Sequence, residues 1–134
     1  MFRRLDEAVL VADRQLHPAD IAAAAAAGVT MIVNNRPDGE EPDQPAGAEI
    51  ERSAGAAGLA YRHIPVAGGI GPDQVEAMAA ALSGEKVLAF CRSGTRSTWL
   101  WALAAHSQGM DGAAILARAE AAGYDLGRLR AYLA

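Results

Sequence analysis

The feature that most limits what this chain can fold into is an alternation. Short runs of Val, Ile, Leu and Phe recur between alanine-rich stretches that carry helix-boundary residues at their ends. The strand-like runs lie at residues 9–12, 29–34, 60–66 and 86–90. Between the first two, "HPADIAAAAAAG" sets Pro18 near a helix start and Gly28 just past its end, and "PAGAEIERSAGAAG" repeats the arrangement with Pro45 and Gly58. "GPDQVEAMAAALSG" is a third such segment. Strands separated by helices pair in parallel, and the helices cover the faces of the sheet. The expected fold is therefore an α/β domain of three layers, with a central, largely parallel sheet of about four or five strands.

After residue 90 the pattern turns wholly helical. Helices are expected to about residue 107, over residues 111–122 and from residue 125 to the end, with Asp111 and Asp125 as N-caps. A chain of 134 residues fits one domain, spanning 1–134, with a single ordinary core.

Composition narrows the function. With 16 acidic residues against 12 basic ones and no basic run, the chain does not suit a nucleic-acid or anionic-membrane partner. The longest mostly apolar run, residues 21–33, is interrupted by Gly28 and falls short of the roughly 18 residues that span a bilayer. The N-terminus lacks the apolar stretch of a secretory signal, and one cysteine cannot form an intramolecular disulfide, so a reducing cytoplasm is the expected location. His17, His63 and His106 are scattered without metal-ligand spacing, and neither a metal nor a cofactor is expected. The sequence does not speak to oligomeric state.

The single cysteine stands in "VLAFCRSGTRSTWLW". Cys91 ends a strand, and a helix follows about five residues later, so the intervening chain must turn sharply. In such a turn the backbone N–H groups of Arg92, Ser93, Gly94, Thr95 and Arg96 converge on one centre, and the helix N-terminus adds positive charge. Gly94 permits the bend. An anion-binding loop stabilises a thiolate, which makes Cys91 a candidate nucleophile. Arg96 is placed to fork two donors onto a tetrahedral oxyanion, and Ser97 to donate to the sulfur. The competing reading is a small hydrophobe closing a buried strand. Two arginines, two hydroxyls and a glycine in the residues after Cys91 weigh against it.

Functional groups gather at the carboxyl ends of parallel strands. A second segment, "NNRPDGEEPDQPAG", falls at that end. Within it Arg36 is either a second anion contact or the partner of the acidic run, and Asp38 is the candidate general acid among Asp38, Glu40, Glu41 and Asp43. Trp99 and Trp101 are expected to pack.

"CRSGTRS" resembles the phosphate-binding loop of cysteine-dependent tyrosine and dual-specificity phosphatases. It has four residues between Cys91 and Arg96 where those enzymes typically have five, and Phe90 where they often carry histidine. The shorter loop is similar to that of rhodanese-like sulfurtransferases, which frequently reads Cys-Arg-Ser-Gly. "NNRPDGEEPDQP", "AGLAYRHIPVAGGIGPDQVEAM" and the cysteine stretch together resemble the phosphatase-like domain of bacterial β-lactamase-hydrolase-like proteins, a family similar in fold to dual-specificity phosphatases. The resemblance implies hydrolysis of a phosphorylated small molecule or protein through a phosphocysteine on Cys91. A persulfide carried on Cys91, or a non-catalytic anion-binding module, are the alternatives. In dual-specificity phosphatases the general acid follows the strand that here reads "YRHIPV", and Ala67, Gly68 and Gly69 stand in its place. Asp73, after Pro72, fits a helix start better.

Overall fold

Period-two alternation in the inner strands decides which helices cover which face. In β5 (Val87–Phe90), Val87 and Ala89 enter one core while Leu88 and Phe90 enter the other. In β3 (Met31–Asn34), Met31 and Val33 divide from Ile32 in the same way. Burial on both faces is why these strands read as continuous apolar runs. The computed structural model describes all residues, Met1–Ala134. Its sheet has five strands in the order β1 (Phe2–Asp6), β2 (Val9–Ala12), β5, β3 and β4 (Ala60–His63), parallel except for the β1–β2 hairpin.

One face is covered by α1 (Ile21–Ala26) and α2 (Gly47–Ala56), through Ile21, Ala24, Ile50 and Ala54. The other carries α3 (Pro72–Leu82), α4 (Thr95–Ser107), α5 (Gly112–Ala121) and a 3-10 segment, Gly127–Leu133. Trp101 of α4 is fully buried there, and its Nε1 donates to Asp6 at 3.3 Å. The expected three-layer arrangement is present. No helix is long and apolar enough to cross a membrane.

Boundaries differ from expectation in three places. β1 (Phe2–Asp6) goes unsignalled because only Leu5 of its residues enters the core, while Arg3 and Arg4 are exposed. It pairs with β2 (Val9–Ala12) across a turn in which Asp6 accepts from the Ala8 amide at 2.8 Å. β4 (Ala60–His63) stops short of residue 66, although the Ile64 and Val66 amides still donate to the Asn34 and Asn35 carbonyls at 2.9 Å; Pro65 between them takes an outward-facing position of this edge strand, where no ladder N–H is needed. The last segment is 3-10 rather than α: Asp125 makes a local turn onto the Gly127 amide at 2.8 Å, and Gly127 favours helix poorly. Asp111 is an N-cap as expected, accepting from Ala114 at 3.2 Å.

Because β3 and β5 are parallel neighbours, their carboxyl ends release residues 35–46 and 91–94 side by side. The Asn35 amide donates to the Phe90 carbonyl at 2.8 Å, which fixes the two loops to each other.

Candidate active site

Cys91 follows β5 directly and is buried, with a relative exposure of 1%. The Gly94 amide donates to its sulfur at 3.2 Å. Gly94 is the N-cap of α4 and adopts φ +95°, a left-handed conformation that favours glycine. A Cβ there would stand 2.8 Å from the Ala12 carbonyl and collide with the Tyr124 hydroxyl. That hydroxyl donates to the Ser93 carbonyl at 2.9 Å, and the Thr98 hydroxyl donates to the Gly94 carbonyl at 2.7 Å. The loop is thus tied at its carbonyls. Arg92, Ser93 and Thr95 have exposed side chains.

Arg96 lies in the first turn of α4 and is gripped from the neighbouring loop. Its Nη1 and Nη2 donate to the two oxygens of Glu40 at 2.8 and 2.9 Å, and Nη1 also donates to the Val66 carbonyl at 2.8 Å. A guanidinium has five N–H donors. The Nε–H and one Nη2–H remain without a protein partner, and they share one edge of the fork. The Glu40 hydrogen bonds strengthen Arg96's hold on its proton, against the cost of desolvation and with help from the Cys91 sulfur.

Glu40 belongs to the segment that carries Arg36. Arg36 is buried, at 3% exposure, and donates from Nε to Glu40 at 2.9 Å and from Nη1 to Gln15 at 2.8 Å. Glu41 bridges Arg36 and the exposed Arg92, at 3.2 and 3.1 Å. Its contact with Arg36 Nη2 is too bent for a hydrogen bond, so that buried nitrogen has no hydrogen-bond partner. The Arg96 hydrogen bonds are the main cause that brings the Glu40 carboxyl from 4.5 down to about 2; burial opposes them, and the Arg36 hydrogen bond adds a smaller pull in the same direction as Arg96. Of the two roles open to Arg36, partner of the acidic run is the one this geometry supports.

Two expected contacts are absent. The Ser97 hydroxyl, fully buried, donates to Asn35 Oδ1 at 2.7 Å and not to the Cys91 sulfur. Its one proton is thereby committed, and Asn35 completes the brace by donating to the Ile64 carbonyl at 3.0 Å. Asp38 accepts from the Gly47 amide at 2.7 Å and so anchors the start of α2. It lies by Tyr61 and Asn34, while Glu40 is the carboxylate that meets Arg96. Sequence reasoning named Glu40 and Glu41 only as members of an acidic run. The available signal was the four-residue spacing from Arg36 to Glu40.

The sequence and the folded shape have counterparts. A β-lactamase hydrolase-like protein from Xylella fastidiosa is 40% identical over 110 residues, 79% of this chain and 26% of that protein. The chain thus spans about a quarter of the length of the curated relatives it matches. A candidate phosphatase from Neisseria meningitidis, known from its crystal structure, superposes with a TM-score of 0.83 at 36% identity, covering 98% of this chain and 94% of that one. The catalytic core of the PP-IP phosphatase of S. cerevisiae shares the fold alone, with a TM-score of 0.68 at 13% identity, covering 98% of this chain and 82% of that one. The profile described as "Beta-lactamase hydrolase-like protein, phosphatase-like domain" matches residues 1–110, so the fold, the relatives and the profile agree that this chain belongs to that phosphatase-like family.

Proposed function

We propose that the domain is a cysteine-dependent hydrolase of phosphate monoesters. The Cys91 sulfur attacks phosphorus, the S–P bond forms as the P–O ester bond breaks, and the ester oxygen leaves with the bonding pair as an alkoxide or phenoxide that takes its proton from water. Water then attacks the phosphocysteine, releasing inorganic phosphate and restoring the thiolate. Loop amides and the open edge of Arg96 receive the phosphoryl oxygens, where charge concentrates in the transition state.

The observation that carries this reading is the grip on Arg96. Glu40 and the Val66 carbonyl hold one edge of the guanidinium, which leaves the Nε/Nη2 edge unpaired beside a buried cysteine at a helix N-terminus. A fixed fork costs little reorganisation when the anion arrives. Arg36, Arg92 and Arg96 against Glu40 and Glu41 give this cleft one net positive charge, which offsets the Cys91 thiolate.

A persulfide reading has two specific supports. Four residues separate Cys91 from Arg96, and the Ser97 proton that would assist sulfur departure is engaged by Asn35. In that chemistry the thiolate takes the outer sulfur of thiosulfate, the S–S bond breaks, and sulfite leaves with the electron pair. Assays with p-nitrophenyl phosphate and with thiosulfate plus cyanide, each beside Cys91→Ser, separate the two. The hydrolase reading expects Cys91-dependent release of p-nitrophenol. Turnover of thiosulfate alone, with a sulfur added to the intact mass, would replace it.

A further inference from the structure

Between Cys91 and Arg96, the peptide unit that joins Ser93 to Gly94 is held at both ends. Its N–H donates to the Cys91 sulfur at 3.2 Å, and its carbonyl accepts from the Tyr124 hydroxyl at 2.9 Å. The peptide is trans and planar, so its N–H and C=O point in opposite directions. Tyr124 therefore stands on the outer side of the loop, and its hold on the carbonyl aims the amide inward. Gly94 supplies no such direction itself. Glycine populates positive and negative φ about equally, so turning this peptide over costs Gly94 little. Turned over, the loop would present the Ser93 carbonyl oxygen to the sulfur and to a bound anion, in place of a donor.

Tyr124 is itself firmly seated. It follows Gly123, and the two end α5 in a Schellman turn, with the Gly123 amide on the Glu120 carbonyl and the Tyr124 amide on the Ala119 carbonyl, both at 2.9 Å. Arg3 of β1 donates to the Ala122 carbonyl at 2.8 Å and lies with its guanidinium 5.6 Å from the centre of the Tyr124 ring. Burial raises the phenol above its usual range, so the hydroxyl holds its proton and remains a donor around neutral pH. Tyr124 lies beyond residues 1–110, the span that the family profile matches, so that match gives it no role.

We propose that Tyr124 is a positioning residue for the anion loop, holding the Ser93–Gly94 peptide in the orientation that presents the Gly94 amide to the sulfur and to the phosphoryl group. Its role in turnover rests on the hydrolase reading above. A loop already turned the right way needs no rearrangement when the anion arrives. Without the hydroxyl, only the fraction of molecules with the amide turned inward can bind, and the apparent affinity falls by that fraction.

Tyr124→Phe tests this, since it keeps the ring beside Arg3 and the turn that ends α5 while removing the hydroxyl. Calorimetry with inorganic phosphate should give a Kd about fivefold above that of the parent, the bias that one ordinary hydrogen bond sustains. KM for p-nitrophenyl phosphate should rise by a similar factor while kcat stays within about twofold, because bound substrate itself selects the inward amide. An unchanged Kd overturns the proposal whatever happens to Tm, and leaves the hydroxyl as a structural tie. A fall in kcat at unchanged Kd overturns it too. If no phosphate ester is hydrolysed but the Kd for inorganic phosphate still rises in the variant, the hydrolase reading falls and the positioning role stands. A parent chain that does not bind inorganic phosphate overturns both.

Discussion

Replacing Glu40 by Gln removes a charge while keeping the shape of the side chain. In the parent, the carboxylate accepts two N–H groups from Arg96 and one from Arg36, at 2.8 to 2.9 Å. Lowering the carboxyl from 4.5 to about 2 would correspond to ~3 kcal/mol of preferential pairing, at about 1.36 kcal/mol per unit. The Glu40 side chain is 29% exposed, so water screens the pair, and ~1–2 kcal/mol is the working magnitude. Gln can accept at one oxygen only, and its amide presents donors to a guanidinium that has no acceptor. Arg96 then loses the fixed orientation of its open edge. The expected result is a fall in kcat for p-nitrophenyl phosphate of roughly tenfold, with a smaller change in KM. Because the folded carboxyl titrates below its unfolded value, the stabilisation from this pair is complete above pH 4.5 and disappears as pH falls towards about 2. Glu40→Gln should therefore flatten the acid limb of the stability curve and leave its slope near neutrality unchanged. An unchanged or raised kcat would refute the reasoning, since it would mean that Glu40 competes with the substrate for Arg96.

Other expectations follow from single contacts. Gly94→Ala combines a φ of +95° with collisions at Ala12 and Tyr124, and a loss of ~3 kcal/mol or more is expected, read as a fall in Tm of roughly 10 °C. Ser97→Ala leaves the buried Asn35 oxygen without its donor and should cost ~1–3 kcal/mol in urea unfolding, while phosphocysteine breakdown in rapid-quench experiments stays near the parent rate. A slowed breakdown at unchanged stability would return Ser97 to the sulfur. Gly68→Asp places a carboxyl where dual-specificity phosphatases carry their acid, in open space, and should raise turnover of alkyl phosphates relative to aryl ones. Equal gains for both would mean the new group donates no proton. Asp38→Asn, by contrast, should act through the α2 anchor, lowering Tm while leaving the ratio of alkyl to aryl rates unchanged.

The architecture was legible wherever burial on both faces writes a continuous apolar run, as in β3 and β5, and wherever Gly28 and Gly58 end helices in left-handed turns. β1 was not, because an edge strand with one core residue has no such signature. The loop from Cys91 to Arg96 was legible as chemistry, since its residue types are improbable in a core. The partners of that loop were not. Glu40 reaches Arg96 across 56 positions of sequence, and Asn35 reaches Ser97 across 62, and only the parallel pairing of β3 with β5 brings them together. Assigning the acid to Asp38 followed composition, whereas the fold turns Asp38 towards Gly47 and Glu40 towards the arginines. Ser97 was legible as a polar residue out of place, but a hydroxyl does not declare in sequence which neighbour takes its one proton.

The central claim is that Cys91 carries the phosphoryl group, and mass spectrometry of the protein quenched in acid during turnover of p-nitrophenyl phosphate tests it most directly. The account predicts one added phosphoryl mass on the peptide that contains Cys91, lost in Cys91→Ser together with turnover. Continued turnover with Cys91 unmodified, or with Cys91→Ser at the parent rate, would contradict it.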